Sequence, residues 1–206
     1  MKRFILTLSV IVAGLSMTAL DMDAQNSSRS EKRQQEMEKW RKEMAEFRAR
    51  TEQNREMNAL VDSIAGVQAA AAVQNRDFVL EADQVTFKNG NTVFVNSNTT
   101  FISVKGNKAV VQISPSNFAS GPNGVGGVTV SGTISGMQRM VDKKGRTTVS
   151  FNVMGIGINA QIEVYMTPGT NRASATIYPN FNSNTVWIEG DIVPYENSDV
   201  FEGSSL

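Results

Sequence analysis

The chain has 206 residues and contains neither cysteine nor histidine. Those two absences exclude disulfides, the usual zinc-finger spacings, haem ligation by histidine, and every catalytic triad that uses either residue. Acid–base chemistry would then fall to carboxylates, lysine or tyrosine, a minority route. An excess charge of one sign is also lacking. Lys plus Arg total 20 and Asp plus Glu total 20, so the formal net charge is zero. A balanced chain of this kind has no general electrostatic attraction for nucleic acid or for an anionic membrane surface.

The chain has one long uncharged run. Lys2 and Arg3 precede 17 residues without charge, FILTLSVIVAGLSMTAL at positions 4–20, and Asp21, Asp23, Ala24 and Gln25 follow. A short basic region, an apolar stretch and a small residue form the layout of a secretory signal peptide. Cleavage is expected between Ala24 and Gln25, with the bond between Ala19 and Leu20 as second choice. Met22 and Met17 occupy the −3 positions and depart from the small-x-small rule. The rival reading is a membrane anchor, for which the run sits at the lower limit of about 17–25 residues. No cysteine follows the run, so there is no lipidation site. Residues 1–24 are therefore read as a signal peptide and the mature protein as periplasmic or secreted, with no integral membrane span.

Residues 25–75 form a second regime, read as a charged helical arm. Positions 29–56 hold nine Lys/Arg and seven Asp/Glu, and no Gly or Pro occurs from 25 to 65. Good helix formers dominate. Ser28, three residues before Glu31, has capping-box spacing, and Ser30 is a second N-cap candidate. Apolar residues recur at Met37, Trp40, Met44 and Phe47, then at Met57, Leu60, Ile64, Val67 and Ala71, with Thr51 and Asn54 between the two sets. That spacing predicts one long helix with a narrow apolar stripe, or two in line, with Gly66 loosening the C-terminal end. The stripe suits packing on the rest of the protein, self-association through a short coiled coil, or a membrane surface. A register slip at Met57 weakens the second reading. Mixed charge on the polar face weakens the third.

From residue 76 to 206 the hydrophobic period becomes two. Ile156, Ile158, Ala160, Ile162, Val164 and Met166 share one face, opposite Gly157, Asn159, Gln161, Glu163, Tyr165 and Thr167. Val128, Val130 and Ile134 alternate with Thr129, Ser131 and Thr133, Ala109, Val111 and Ile113 with Lys108, Val110 and Gln112, and Ala173, Ala175 and Ile177 with Ser174 and Thr176. Turn signals at NGN (89–91), KGN (105–107), KKG (143–145) and PG (168–169) separate the runs. The chain is thus expected to be mainly β: an antiparallel meander forming a barrel or sandwich of about eight or nine strands, preceded by a long N-terminal helix. Val85 and Phe87 fall out of phase with Phe78, Leu80 and Ala82, which predicts a bulge near Asp83-Gln84. Val186, Trp187 and Ile188 are consecutive and apolar, so both faces of that strand want cover. The stripe of residues 57–71 is expected to supply it.

Chemistry-bearing candidates are few. GPNGVGG at 121–127 lacks the Lys-Ser/Thr ending of a phosphate loop and leads into a strand, so it reads as a surface loop. Glu81 and Asp83 share a strand face, and so do Glu189 and Asp191; such pairs suit a glycosidase or calcium, or simply a solvated face. Tyr165, Tyr178 and Trp187 suit either a sugar or peptide surface or the edge of the core. No S-x-x-K or G-x-S-x-G motif appears. No catalytic, cofactor-binding or metal-binding residue is therefore assigned.

Three segments carry a resemblance: NGNTVFVNSNTTFISVKGNKAVVQI (89–113), GPNGVGGVTVSGTISG (121–136) and ATIYPNFNSNTVWIEGDIVPYENSDVFEGSSL (175–206). The chain resembles, over roughly residues 60–206, a domain-of-unknown-function family of secreted or lipid-anchored envelope proteins from Bacteroides-type Gram-negative anaerobes. The Gly-rich stretch and the C-terminal SDVFEGSS carry most of the likeness. It implies an exported β-rich domain and no particular activity, cofactor or site. The expected function is a non-catalytic envelope module with a binding or structural role, whose partner is an envelope protein, a glycan or a small apolar ligand. The alternative is a carboxylate-dependent hydrolase acting on an envelope or dietary polymer.

Overall fold

The computed structural model describes residues 2–114, 127–180 and 184–205, and along the helix the side chains of 29 and 31–75. Helix α1 spans Lys2–Asn75. By compactness the chain divides into Met1–Met57 and Asn58–Leu206. The first unit is helix, and its Met37, Trp40 and Phe47 are exposed. With no Gly or Pro over 25–65, nothing interrupts the ladder of backbone hydrogen bonds. The helix runs straight through Ser28 and Ser30, so neither caps a helix start as the spacing suggests.

Among the described residues of the second unit nine antiparallel strands follow: β1 (Asp77–Phe87), β2 (Thr92–Phe94), β3 (Phe101–Lys105), β4 (Lys108–Ile113), β5 (Val128–Val141), β6 (Thr147–Met154), β7 (Asn159–Met166), β8 (Arg172–Pro179) and β9 (Val186–Pro194). From β3 to β9 each strand pairs with the next, and β1 closes the circuit by pairing with β3 on one edge and β9 on the other. Eight strands thus make a closed barrel. The short β2 extends the sheet beside the far half of β1, in line with β3. The meander expected from the alternation is therefore a barrel, and its eight strands are each paired on both sides. Gly90, Gly106, Gly145 and Gly169 all hold positive φ in the predicted turns.

One residue of each alternating pair points inward. Phe78, Leu80, Ile102, Val111, Phe151, Ile162, Ile177 and Ile188 join a single buried apolar cluster. The predicted bulge is present: the register of β1 against β9 shifts between Ala82 and Gln84. Asp83 is the extra residue, and it returns Val85 to the core side. One strand is shorter than its hydropathy suggests. The alternation predicts a strand from Ile156, yet β7 begins at Asn159 and Ile156 is 99% exposed. Gly155 and Gly157 make this stretch a turn, closed by Gly155 N–H donating to the Ile158 carbonyl at 2.7 Å. GPNGVGG lies outside the described residues except for Gly127.

The helix meets the barrel through small residues rather than the predicted stripe. Met57, Leu60, Ile64 and Val67 remain 59–69% exposed, and Trp187 is 40% exposed. Ala69, Ala72 and Val73 are buried instead, within the barrel's own apolar cluster. They lie four to eight residues before β1 starts at Asp77, at the same end of the barrel as the β7–β8 turn. A Cβ on Gly66 would sit 2.8 Å from the Thr170 backbone nitrogen. Gly66 therefore serves close approach, not a loosened helix end, since the helix continues to Asn75. Bulky residues would hold the two backbones apart; small ones let the last helical turns close the barrel end.

The C-terminal tail does the covering expected of the helix, at a different place. After β9 a 3-10 turn (Tyr195–Asn197) lies against β1 and β3. Val79 and Phe101 point away from the core but are buried, at 0% and 1% exposure. Ser198 Oγ donates to Glu81 Oε1 at 2.6 Å, and Phe201 N–H donates to the Asn98 carbonyl at 2.8 Å. Gln112 anchors the rest. Its Nε2 donates to the Thr99 and Phe201 carbonyls, and its Oε1 accepts from Thr129 Oγ1 and Gly203 N–H, each at 2.9 Å. Both donors and both acceptor positions of the amide are used.

Candidate functional site

The strand registers assemble the polar candidates on one outer face, across β7, β8, β9 and β1. Because Ile162, Val164, Ala175, Ile177 and Ile188 point inward, their neighbours point out. Gln161 faces Tyr178. Glu163, Thr176, Trp187 and Thr86 form a second row, and Tyr165, Ser174, Glu189 and Gln84 a third. Arg172, Asp191 and Glu81 make a fourth. Tyr165, Tyr178 and Trp187 thus sit on three adjacent strands, each 40–42% exposed. The rings neither finish the core nor lie free of the barrel: they present a half-open aromatic surface flanked by amide, hydroxyl and carboxylate groups.

At one edge of this face the two carboxylate pairs converge. Glu81 and Asp191 are directly opposite across β1 and β9. Asp83, turned by the bulge, takes a two-pronged grip from Arg172: Nη1 to Oδ2 at 2.5 Å and Nη2 to Oδ1 at 2.9 Å. Asp191 Oδ1 lies 3.7 Å from the same guanidinium. The bond to Asp83 raises the Arg172 pKa further, with the charges of Asp83, Asp191 and Glu189 adding to it and burial opposing. The pair is 41% and 48% exposed, so solvent screens it. Its contribution to stability falls in the range of exposed pairs, about 0–1 kcal/mol. Glu81 is engaged by Ser198 of the tail. Among the described residues no group of three or more acidic side chains is placed to hold a metal ion. Asp83 and Asp191 thus face the Arg172 guanidinium, and Glu81 the hydroxyl of Ser198.

Arg172 is the residue that sequence reading missed. Its signal was present: it stands two before Ser174 in the outward phase set by Ala173, Ala175 and Ile177. Its meeting with Asp83 depends on barrel closure, 89 residues away along the chain.

At the centre of the face, Tyr165 Oη donates to Glu163 Oε2 at 2.5 Å, and Gln161 Nε2 donates to Glu163 Oε1 at 3.0 Å. The bond to Glu163, then burial, then the carboxylate charge push the Tyr165 pKa up to about 12. The folded state therefore favours the neutral phenol. Its contribution to stability is complete below pH about 10 and is lost as the pH rises through about 12. Absorbance titration near 295 nm should show one tyrosine ionising near 12, moved back toward 10 in Glu163→Ala. An unmoved midpoint would show that Glu163 is not its cause.

The family model for a domain of unknown function, DUF4251, matches residues 63–192. The chain belongs to the DUF4251 family. A crystal structure of a DUF4251 family protein from Bacteroides eggerthii DSM 20697 is 45% identical to it, covers 69% of this chain and 96% of that one, and superposes with a TM-score of 0.60. A search of curated proteins finds no match. The DUF4251 match begins inside α1, before Gly66, so the helical end that meets the barrel lies within the matched region. It stops at residue 192, short of the tail that carries part of the resemblance.

Proposed function

We propose that this DUF4251 protein is an exported, non-catalytic module of the cell envelope that binds a glycan through the outer face of β7, β8 and β9. The observation that carries the reading is the set of three half-exposed rings, Tyr165, Tyr178 and Trp187, held in register among Gln161, Glu163, Thr176 and Glu189. An aromatic ring offers a flat apolar surface to a sugar ring, and the flanking polar groups can meet its hydroxyls. A rigid sheet holds the rings at fixed spacing. Export is supported by the basic start, the apolar run and Ala24. The apolar packing of inward-facing side chains argues against a small ligand inside the barrel. The engagement of Asp83 by Arg172 and of Glu81 by Ser198 argues against the carboxylate hydrolase.

The test uses protein recovered from the periplasm of its own cells, with an N-terminus expected at or near Gln25. Soluble oligosaccharides of peptidoglycan and capsular type are titrated against it in a Trp40→Phe background, following Trp187 emission. A saturable change that disappears in Tyr178→Ala, with the circular dichroism preserved, supports the reading. Absence of binding across the panel, or release of shortened sugars, overturns it.

A further inference from the structure

The helical unit Met1–Met57 carries an apolar stripe whose large side chains are exposed. Met37, Trp40 and Phe47 are 51%, 56% and 65% exposed. Together with Met44, Thr51 and Asn54 they fall 3, 4, 3, 4 and 3 residues apart. This is the a/d spacing of a coiled coil, with Met37, Met44 and Thr51 at a and Trp40, Phe47 and Asn54 at d. The spacing breaks after Asn54, where Met57 comes three residues later instead of four.

The flanking charges choose the occupant. Positions g are Glu36, Glu43 and Arg50; positions e are Arg41, Arg48 and Arg55. In a parallel, in-register pair each g residue meets the e residue five places on in the other copy. Glu36 then meets Arg41 and Glu43 meets Arg48, each twice by symmetry. Only Arg50 and Arg55 oppose one another, and Arg55 leans to Glu52 of its own helix at 3.9 Å. In an antiparallel pair e faces e, and whatever the stagger that row brings arginine to arginine. The core chemistry agrees. Thr51 Oγ1 already donates to the Phe47 carbonyl at 2.8 Å, so burying it leaves no unpaired hydroxyl. Asn54 adds a polar layer of the kind that fixes register at a cost in stability.

We infer that residues 36–55 pair with the same segment of a second copy as a parallel, in-register two-stranded coiled coil, so that the protein is a dimer joined through its helix.

The absence of cysteine makes the test clean. In the chain purified as the cell leaves it, Met37→Cys should form a disulfide-linked dimer on mild oxidation. Ala49→Cys, on the outer face of the same helix, should not. Sedimentation should show a dimer that dissociates on dilution. Glu43→Arg should weaken it roughly tenfold or more, by setting like charges together. Adding Arg48→Glu to Glu43→Arg should restore it. A chain that stays monomeric at its highest soluble concentration overturns the inference, as does a monomer that binds phosphatidylglycerol vesicles through this stripe. Cross-linking of Met37→Cys only with Asn54→Cys in a mixture would mean an antiparallel pair. Failure of the double charge exchange to restore dimer would remove the charge argument.

Discussion

Gly190→Ala should prevent the barrel from closing. Gly190 lies on β9, paired with Ala82 of β1 on one side and Ala173 of β8 on the other. A Cβ built there falls 1.9 Å from the Glu81 carbonyl oxygen and 2.7 Å from Ala82 Cα. Both obstacles are backbone, and both sit beside the bulge at Asp83, where β1 is already bent. No rotamer change relieves them; β1 and β9 must part, and their pairing is the seam that closes the ring. Changes of this kind belong to the exceptional class, above about 4 kcal/mol. That is most of a total stability of roughly 5–15 kcal/mol. The variant should be insoluble, or should unfold at far lower denaturant. Gly90→Ala is the control: its φ is +82° but nothing lies within 4 Å of the added methyl. It should cost only the left-handed strain, about 1–2 kcal/mol. If the two variants unfold at similar denaturant concentrations, the seam tolerates widening and the argument fails.

Gln112→Leu should release the tail while leaving the barrel folded. The substitution keeps the volume roughly constant and removes four hydrogen bonds, two of them to Phe201 and Gly203 of the tail. Each buried group left unpaired costs about 1–3 kcal/mol. The tail can avoid part of that by lifting into water, so a net loss of about 2–4 kcal/mol is expected. Lifting also uncovers Val79 and Phe101, buried on the outer face of β1 and β3. Limited proteolysis should then cut within residues 195–205 at a rate the parent chain does not show. A chain ending at Pro194 provides the decisive comparison. In it the same substitution should cost less, because two of the four partners, Phe201 and Gly203, are already gone while Thr99 and Thr129 remain. Equal costs with and without the tail would mean that Gln112 supports the barrel rather than the tail.

The parts of this fold that were legible are those that repeat. Alternation at Ala109 to Ile113 and at Ala173 to Ile177, glycines in tight turns, and the phase slip at Asp83 all follow from a backbone with a period of two. The parts that were not legible depend on size or on distance along the chain. Ala69, Ala72 and Val73 dock because they are small, and hydropathy favoured the bulkier Met57, Leu60, Ile64 and Val67. Gln112 read as an ordinary outward-facing amide, since the tail that covers it has no periodicity to read. Ile156 kept its alternation but lost its strand to the glycines on either side. The carboxylates could be seen in pairs along each strand, whereas the opposition of Glu81 and Asp191 requires the register of the first strand with the last. The aromatic face was visible as three separate residues and became a surface only when β7, β8 and β9 were laid side by side.

That pairing of first strand with last also governs the order of events as the chain is made. β1 is among the earliest parts of the domain to be synthesised, and β9, its partner along one whole edge, is among the latest. Contacts between such distant segments are slow to form. Until residues 186–194 are available, both β1 and β8 offer an unpaired edge, and edges of this kind recruit other chains. Neither the barrel nor its outer strap can be finished early. Closure must wait for β9, and until it arrives the two edges of β1 and β8 stay open to other chains.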